Sequence, residues 1–234
     1  MEINKIIYCG HSAILLENPD YVIGIDPWLE GNPVCPENLK NPSKLDLIIL
    51  THGHSDHSGD CVRLAKKYNA KVIATFELAS LLVKAGVPSE NLIFMNTGGS
   101  VTINNYKISL TPAFHSSSYT LDGFTHYAGQ PCGVVVEDNK NVFYHAGDTD
   151  LFSDLKLIGA QFKPTISFLP IGDVFTMDSK KASIAASWLG TKVTIPIHYK
   201  TFPQLYQSSD EFNQECQRYN IECVSLDAGQ EYKI

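Results

Sequence analysis

Four side chains that can bind a metal ion lie within six consecutive positions, in the segment Thr51-His52-Gly53-His54-Ser55-Asp56-His57. His52 and His54 are two residues apart, so in an extended segment both rings point the same way and can bind one ion. Asp56 and His57 are adjacent and can face a second ion where the chain turns into a helix. Imidazole and carboxylate suit zinc, iron, nickel or manganese. A surface loop that is rich in histidine by chance is the alternative.

The sequence on either side of this segment predicts the elements that position it. Residues 45–50 form a short apolar run of Leu and Ile, which is too brief for an ordinary helix and indicates a buried strand. Residues 61–68 have the spacing of a helix. The four candidate ligands therefore lie on a strand-to-helix loop, where a rigid sheet can direct them into a cleft. This placement disfavours the chance alternative.

The motif His52-x-His54-x-Asp56-His57 resembles the metal motif of the metallo-β-lactamase superfamily. The resemblance extends along nearly the whole chain. Within that superfamily the chain is most similar to a branch of cytoplasmic metal-dependent hydrolases, and Gly31-Asn32-Pro33 also occurs in that branch. The branch is itself similar to the ascorbate-6-phosphate lactonases. The resemblance implies an α/β fold of four layers, an αββα sandwich, with residues 1–234 as a single metallo-hydrolase domain.

Three isolated residues each follow a predicted strand and carry a weak signal alone. The resemblance implies that each of them binds a metal ion. His115 takes the place of the third histidine beside His52 and His54. Asp148, in a strand that ends Gly-Asp-Thr, takes the place of the aspartate that bridges both ions, and His198 that of the last ligand of the second ion. The implied ligands are His52, His54, Asp56, His57, His115, Asp148 and His198, with Asp56 and Asp148 as the catalytic residues.

Four further residues are predicted to support the ligands or to contact substrate. In the resembling family the counterpart of Asp26 lies behind the histidine loop, where a carboxylate orients an imidazole by accepting its other N–H; capping a turn is the alternative. His11 lies in a segment that is near the site in the family, and a structural histidine is an equal alternative. His145 fits a supporting partner better than a ligand. Asp173 could contact substrate or a metal-bound water, or could close a turn.

The rest of the chain alternates predicted strands and helices, which favours an α/β fold. Residues 29–44 and 119–131 show no periodicity, and long irregular segments in a compact domain are usually functional, so both are expected to rim the cleft. Pro196 lies inside the predicted strand 192–197, which indicates an edge position or an early end to strand pairing. Lys200 could attract an anionic substrate or could be merely solvated.

Composition narrows the class of protein. The 234 residues carry a net charge of −7 and contain no run of Lys or Arg, which argues against a general nucleic-acid binder. No stretch approaches the roughly 20 apolar residues of a membrane helix. Residues 1–8 lack the apolar region and cleavage site of a signal peptide, which favours the cytoplasm. The six cysteines form no C-x-x-C pair and are expected to be reduced thiols.

These observations together predict a metal-dependent hydrolase with two divalent ions per chain, zinc first among them, with manganese, iron or nickel as the other choices. Such ions lower the pKa of a shared water toward neutrality, and the resulting hydroxide would attack a carbonyl or phosphoryl centre. The resemblance implies an ester, lactone or phosphoester of a small molecule as substrate, and relatives in the family often self-associate into homo-oligomers. The alternatives are a phosphodiesterase or nuclease, and a metal-binding protein without turnover.

Overall fold

The computed structural model describes residues 2–234, in which six α-helices flank two large β-sheets. The strands are β1 (Lys5–Gly10), β2 (Ala13–Glu17), β3 (Val22–Ile25), β4 (Leu47–Ile49), β5 (Lys71–Thr75), β6 (Leu92–Met95), β7 (Ser100–Ile103), β8 (Tyr106–Pro112), β9 (Ser118–Leu121), β10 (Phe124–Tyr127), β11 (Cys132–Glu137), β12 (Val142–His145), β13 (Ile166–Pro170), β14 (Val193–Ile197), β15 (Glu222–Cys223) and β16 (Glu231–Lys233). The helices are α1 (Ser55–Ser58), α2 (Cys61–Tyr68), α3 (Phe76–Ala85), α4 (Leu155–Phe162), α5 (Ser179–Leu189) and α6 (Asp210–Gln217).

Each large sheet is mixed and has seven strands. The first has the order β16-β1-β2-β3-β4-β5-β6, and the second has the order β15-β14-β13-β12-β11-β8-β7. Strands β3 to β6 run parallel to one another, and so do β12 to β15. Parallel strands end at the same edge of their sheet, so the loops that follow them come together there. All the predicted ligands lie on the connections that follow strands of these two sheets, with Asp56 and His57 in the single turn of α1.

Alternation along the strands divides the core into three layers of apolar contact. In β1, Ile6 faces the second sheet whereas its neighbour Ile7 faces the helices, because successive side chains point to opposite faces. One cluster joins the first sheet to α2 and α3, another lies between the two sheets, and the third joins the second sheet to α4, α5 and α6. Three interfaces between four layers are the αββα sandwich that the sequence predicts, and that prediction is confirmed.

The buried strand and the helix that flank the metal motif are also confirmed, as β4 and α2. Helix α5 begins at Ser179, because the Asp178 carboxylate accepts a hydrogen bond from the Lys181 backbone N–H and caps its first turn. Pro196 does not mark an edge strand, since β14 pairs with β13 and β15. Strand β14 pairs with β15 only as far as Thr194, which is the early end of pairing that Pro196 indicates.

The prediction of an irregular segment at residues 119–131 is wrong, because β9 and β10 form an antiparallel hairpin there. This hairpin lies across the metal motif. A Cβ atom on Gly53 would stand 2.7 Å from the Ser118 carbonyl oxygen and 2.9 Å from the Ala128 Cβ, so only glycine fits beneath it.

Residues 29–44 are irregular as predicted, apart from a short 3₁₀ turn at Glu37–Leu39. Among residues 2–234, no helix has the length and apolar character needed to cross a bilayer.

Candidate metal centre

The metal motif leaves β4 in an extended conformation, which turns two histidine rings toward one point. Nε2 of His52 and Nδ1 of His54 lie 2.9 Å apart. His52 is fully buried and His54 is half-buried. The motif is tied to the second sheet, because the Thr51 carbonyl accepts a hydrogen bond of 2.9 Å from the Cys132 backbone N–H at the start of β11. A rigid sheet therefore holds the pair of rings at the common edge.

Asp56 and His57 follow in the single turn of α1, and His57 is fixed from behind by Asp26. The Nδ1 atom of His57 lies 2.7 Å from an Asp26 oxygen. The same carboxylate accepts hydrogen bonds from the Thr51 backbone N–H at 2.8 Å and the Thr51 hydroxyl at 2.6 Å. Asp26 is thus fully engaged beneath the loop, and it leaves Nε2 of His57 directed into the site. This is the supporting position predicted for Asp26.

The second sheet contributes three residues, each on the loop after a strand. His115 follows β8, Asp148 follows β12 and His198 follows β14. The loops of His115 and Asp148 are tied together, because the Phe114 backbone N–H donates to the Thr149 hydroxyl at 3.0 Å. The His198 backbone N–H donates to the His11 carbonyl at 2.8 Å, which joins β14 to the hairpin of β1 and β2. These cross-links explain how residues far apart in sequence reach one site.

Asp148 lies between the histidines with only 3% of its side chain exposed. Its Oδ1 atom is 3.4 Å from Nε2 of His57. Its Oδ2 atom is 3.0 Å from Nε2 of His198 and 3.6 Å from Nε2 of His115. The same Oδ2 atom is 4.0 Å from Nε2 of His52. Oδ1 therefore faces His57, whereas Oδ2 lies within 4.0 Å of His198, His115 and His52.

The candidate ligand atoms form three sets, and one of them, Asp26 with His52 and His57, takes its histidines from the other two. The Asp26 carboxylate already accepts hydrogen bonds from Thr51, so the other two sets are the candidate ligand groups. In the first ligand group, His52, His54 and His115 each present one atom within 4.8 Å of the others. In the second ligand group, the same limit joins His11, Asp56, His57 and His198. His11 enters this group because its Nε2 lies 3.0 Å from an Asp56 oxygen. The sequence predicts His11 only as a supporting or structural residue, and the structure places it among the possible ligands. Its signal, Gly10-His11 in a hairpin turn, cannot show which distant residue it meets.

The backbone is in the left-handed region at several of these positions. His11 has φ 57°, Asp26 has φ 46° and His198 has φ 57°. Side chains other than glycine adopt this region at a cost, although Asp and His tolerate it better than most. Sharp turns of this kind aim a side chain back over the end of its own strand. The backbone is therefore strained at the three positions that place these side chains.

Burial and neighbouring charges set the protonation of the histidines. Burial lowers the pKa of His52, His54 and His115, and it lowers the pKa of His11 to about 4 with help from the nearby His198 ring. His57 differs. Burial opposes its protonation, but the carboxylates of Asp148 and Asp26 outweigh burial and raise its pKa well above the usual value. Neutral imidazole is the form that binds metal, so most of the set is already in that form at neutral pH.

Two atoms at the centre of the site favour a metal ion over a self-contained hydrogen-bond network. Nε2 of His57 and Oδ1 of Asp148 are buried and have no hydrogen-bond partner in residues 2–234. Buried polar atoms are rarely left without a partner, because the loss of hydration is costly. Once the His57 ring has lost its second proton, Nε2 and Oδ1 are two acceptor atoms 3.4 Å apart, and a cation fits between or beside them. The donor set, imidazole and carboxylate, is one that first-row divalent ions accept.

Other candidates from the sequence lie outside the two groups. His145 is buried, with its Nε2 2.9 Å from the Ser12 carbonyl oxygen and its Nδ1 accepting from the Gly147 backbone N–H at 3.1 Å, so it holds the loop of Asp148 in place. Asp173 has φ 66° and closes a turn through the Met177 carbonyl. It does not line the cavity over the metal centre. For Asp173 the turn alternative therefore describes its position.

A cavity of about 520 Å³ opens over the metal centre. One side exposes members of both groups, namely His54, His115, Asp56 and His198, together with Asp148. The remaining lining residues are Trp28, Ser55, Ser116, Phe175, Phe202 and Gln204. Sequence reasoning missed the three aromatic residues among them. Trp28 follows the Asp26-Pro27 turn, which gave a weak signal, and nothing in the sequence marks Phe175 or Phe202.

Comparison with known sequences gives the superfamily that the metal motif resembles. Residues 21–199 match the model of the beta-lactamase superfamily domain. The chain is 47% identical over 209 residues to a UPF0173 metal-dependent hydrolase of Anoxybacillus flavithermus, an alignment that covers 89% of this chain and 91% of the relative. The match to the superfamily and to metal-dependent hydrolases agrees with the resemblance found in the motif. Similarity to the ascorbate-6-phosphate lactonases stays a prediction.

Solved structures extend the comparison to the fold. Igni18, a metallo hydrolase from the archaeon Ignicoccus hospitalis, superimposes with a TM-score of 0.87 at 33% identity and covers 100% of this chain and 99% of its own. A metallo-beta-lactamase fold protein of Bacillus subtilis superimposes with a TM-score of 0.75 at 15% identity, with complete coverage of both chains. The second likeness concerns the fold alone.

Proposed function

This chain belongs to the UPF0173 family of metal-dependent hydrolases in the beta-lactamase superfamily, and we propose that it works with two divalent ions held at the two ligand groups. The first ion would be held by His52, His54 and His115. The second would be held by Asp56, His57 and His198, with His11 beside them. Asp148 would bridge the ions. The reaction would be hydrolysis of an ester, lactone or phosphoester of a small molecule.

The position of Asp148 is the single observation that carries this proposal. Its carboxylate is buried between the two groups, with one oxygen toward His57 and the other toward His198, His115 and His52. A structural aspartate in such a place would be hydrogen-bonded on both oxygens, yet Oδ1 has no partner in the part of the chain that the structure describes. A buried carboxylate between the two ligand groups would be able to hold an ion at each of them and to supply negative charge to both.

Divalent ions in such a site supply a nucleophile by lowering the pKa of water, and they stabilise negative charge as it develops. The residues of the chain prepare the site for this chemistry. Asp26 holds the proton of His57 on Nδ1 and so keeps Nε2 free. Burial lowers the pKa of His52 and His115, which keeps their rings neutral. For an ester, one water is consumed, the acyl C–O bond breaks, and an acid and an alcohol form.

Metal content gives the first test. Protein purified without chelator or affinity metal should contain about two first-row ions per chain by elemental analysis, as binuclear sites do. His198→Ala should lower that content, because it removes a ligand of the second group that also lies beside Asp148. His126→Ala is the matched control, since His126 lies on the exposed strand β10 and should leave the content unchanged.

Turnover gives the second test. The loaded protein should hydrolyse members of an ester, lactone and phosphoester panel, and His198→Ala should lose that activity while its circular dichroism spectrum is preserved. A protein that holds no ion after reconstitution with zinc, manganese or iron would refute the proposal. So would equal turnover in the His198→Ala variant. Loss of metal from His126→Ala would show that the ions bind elsewhere.

A further inference from the structure

The cavity over the metal centre has an aromatic side as well as a ligand side. The rings of Trp28 and Phe202 lie with their centroids 6.1 Å apart and their planes 34° from parallel. Both also contact His11 of the second ligand group, with ring centroids 5.5 Å away in each case. The aromatic rings are therefore fixed to the metal centre, and a group bound on them would lie at a constant position relative to the reacting atoms.

Phe175, on the loop after β13, is the third aromatic residue that lines this cavity, and it is 53% exposed. The neighbouring Val174 is 60% exposed. Large apolar side chains held at the mouth of a cavity beside polar ligands are a common feature of sites that bind an apolar group. The surface that Phe175 presents is available to a ligand.

The cavity offers no cationic side chain to an anionic substrate. Among the described residues that line it there is neither lysine nor arginine, and its uncharged polar members are Ser55, Ser116 and Gln204. Lys200, two residues after His198, forms an ion pair of 3.1 Å with Asp227 and lines a different cavity. Lysine or arginine is the usual partner of a phosphate or carboxylate group in a binding site. The expectation that Lys200 attracts an anionic substrate is not met by this geometry.

We infer that the substrate carries an uncharged aromatic or other apolar group next to the bond that is hydrolysed, and that Trp28, Phe175 and Phe202 bind this group. The inference rests on the proposed function and narrows its substrate class. It concerns the part of the substrate that lies away from the ions, and it favours a group without charge there. An aromatic ring packed against this side gains both buried apolar area and favourable ring geometry.

Three esters with one leaving group test the inference. These are the ethyl esters of acetic acid, of phenylacetic acid and of succinic acid as the monoanion, followed by acid release in a pH-stat, and their shared ethanol leaving group carries no aromatic ring. The metal-loaded protein should hydrolyse the phenylacetate ester with a kcat/KM at least about tenfold above that of the succinate ester, which corresponds to about 1.4 kcal/mol. Phe175→Ala should lower kcat/KM for the phenylacetate ester by about fivefold to tenfold, the size expected for the loss of one ring contact. It should change the acetate ester by less than about twofold.

Phe124→Ala is the matched control, because Phe124 is 71% exposed on β10 and does not line the cavity. It should leave all three esters unchanged. A succinate ester hydrolysed as fast as the phenylacetate ester would overturn the inference, and so would an equal loss on all esters in Phe175→Ala. Hydrolysis of no ester by the metal-loaded protein would instead count against the proposed function, so the two failures are distinguishable.

A binding measurement without turnover gives a second readout. Trp28 and Trp188 are the two tryptophans of the sequence. In a Trp188→Phe background, 4-phenylbutan-2-one should quench the fluorescence of Trp28, whereas the anion 4-oxopentanoate, which has the same ketone, should not. Adding Phe175→Ala should weaken the quenching by the phenyl ketone about fivefold in apparent Kd. Equal quenching by both ketones would refute the selection of an uncharged group.

Discussion

The two ligand groups differ in how much the fold supports them. In the second group, the three histidine side chains of His11, His57 and His198 are at most 2% exposed, although that of Asp56 is 27% exposed. Asp26 fixes His57, and the Thr201 hydroxyl lies 2.9 Å from Nδ1 of His11. The first group is more open, since His54 is half-buried and the side chain of His115 is 16% exposed.

The rings of the first group also have weaker partners. Nε2 of His54 is 3.5 Å from the Ser116 hydroxyl, which is at the limit of a hydrogen bond. Only His52 is supported at close range, by the Thr51 hydroxyl 3.0 Å from its Nδ1. A group whose ligands are held in place before the ion arrives loses less conformational freedom on binding. We therefore expect the second group to retain its ion and the first to exchange it more readily.

Asp148 is common to both groups, so its loss should have the largest effect. Asp148→Asn keeps the size of the side chain and removes the charge between the ions. We expect activity to fall by at least about a thousandfold, as several kcal/mol of charge stabilisation are lost. Steady-state rates and metal content of the variant check this. Full turnover with two retained ions would show that the groups do not depend on a shared carboxylate.

Removing one ligand from each group in turn should show which group holds its ion more tightly. After dialysis against a weak chelator, His54→Ala should still hold about one ion per chain, in the second group. His57→Ala should lose its second-group ion, with a loss of affinity greater than the 10–100-fold that follows removal of a supporting partner. Competition with a chromogenic chelator measures both. The opposite order of retention would reverse the comparison.

Asp26→Asn tests whether support from behind accounts for the difference. The variant keeps the shape of the side chain but cannot accept the same hydrogen bonds from His57 and Thr51. We expect the metal affinity of the second group to fall about 10–100-fold while the first group changes little. Asp173→Asn is the control, because Asp173 also has a positive φ and lies in a turn outside both groups. Equal effects of the two variants would assign the loss to backbone strain instead.

The pH dependence of metal binding should be the mildest difference. In the metal-free protein the pKa of His57 is raised above 6.5, because Asp148 and Asp26 outweigh its burial. The protonated ring thus stabilises the metal-free fold fully below pH 6.5, and this contribution is lost as the pH rises through the raised pKa. Between these limits an ion must displace that proton, so affinity at the second group should rise up to about tenfold per pH unit.

The first group should lack this dependence above pH 6.5, since burial lowers the pKa values of its three histidines and their rings are already neutral. Calorimetric titration with zinc in two buffers of different ionisation enthalpy counts the protons released at each step. One proton released with the ion that binds first, and none with the next, is the expected result. Proton release confined to the weaker site would contradict the assignment.

The sequence predicts the parts of the site that depend on local order. The apolar run before His52 shows a strand, and spacing alone explains how His52 and His54 share one side. The contact between His11 and Asp56 could not be predicted, because it depends on β1 and β4 lying three places apart in the same sheet, so that the turn after β1 meets α1. The β9–β10 hairpin was missed although Asp122-Gly123 is a common two-residue hairpin turn, because both strands are short and β10 is exposed throughout. The aromatic side of the cavity joins three separate loops, and no local pattern links them.

The left-handed turns at residues 11, 26 and 198 also have an evolutionary consequence. Glycine would relieve each turn, by on the order of 1 kcal/mol or more, while removing the side chain that the site needs. Selection for folding and selection for chemistry therefore act in opposite directions at these positions. A descendant of this protein that no longer needs catalysis should drift toward glycine there while its buried strands stay unchanged. Glycine at these three positions would therefore identify, from sequence alone, descendants that have lost catalysis.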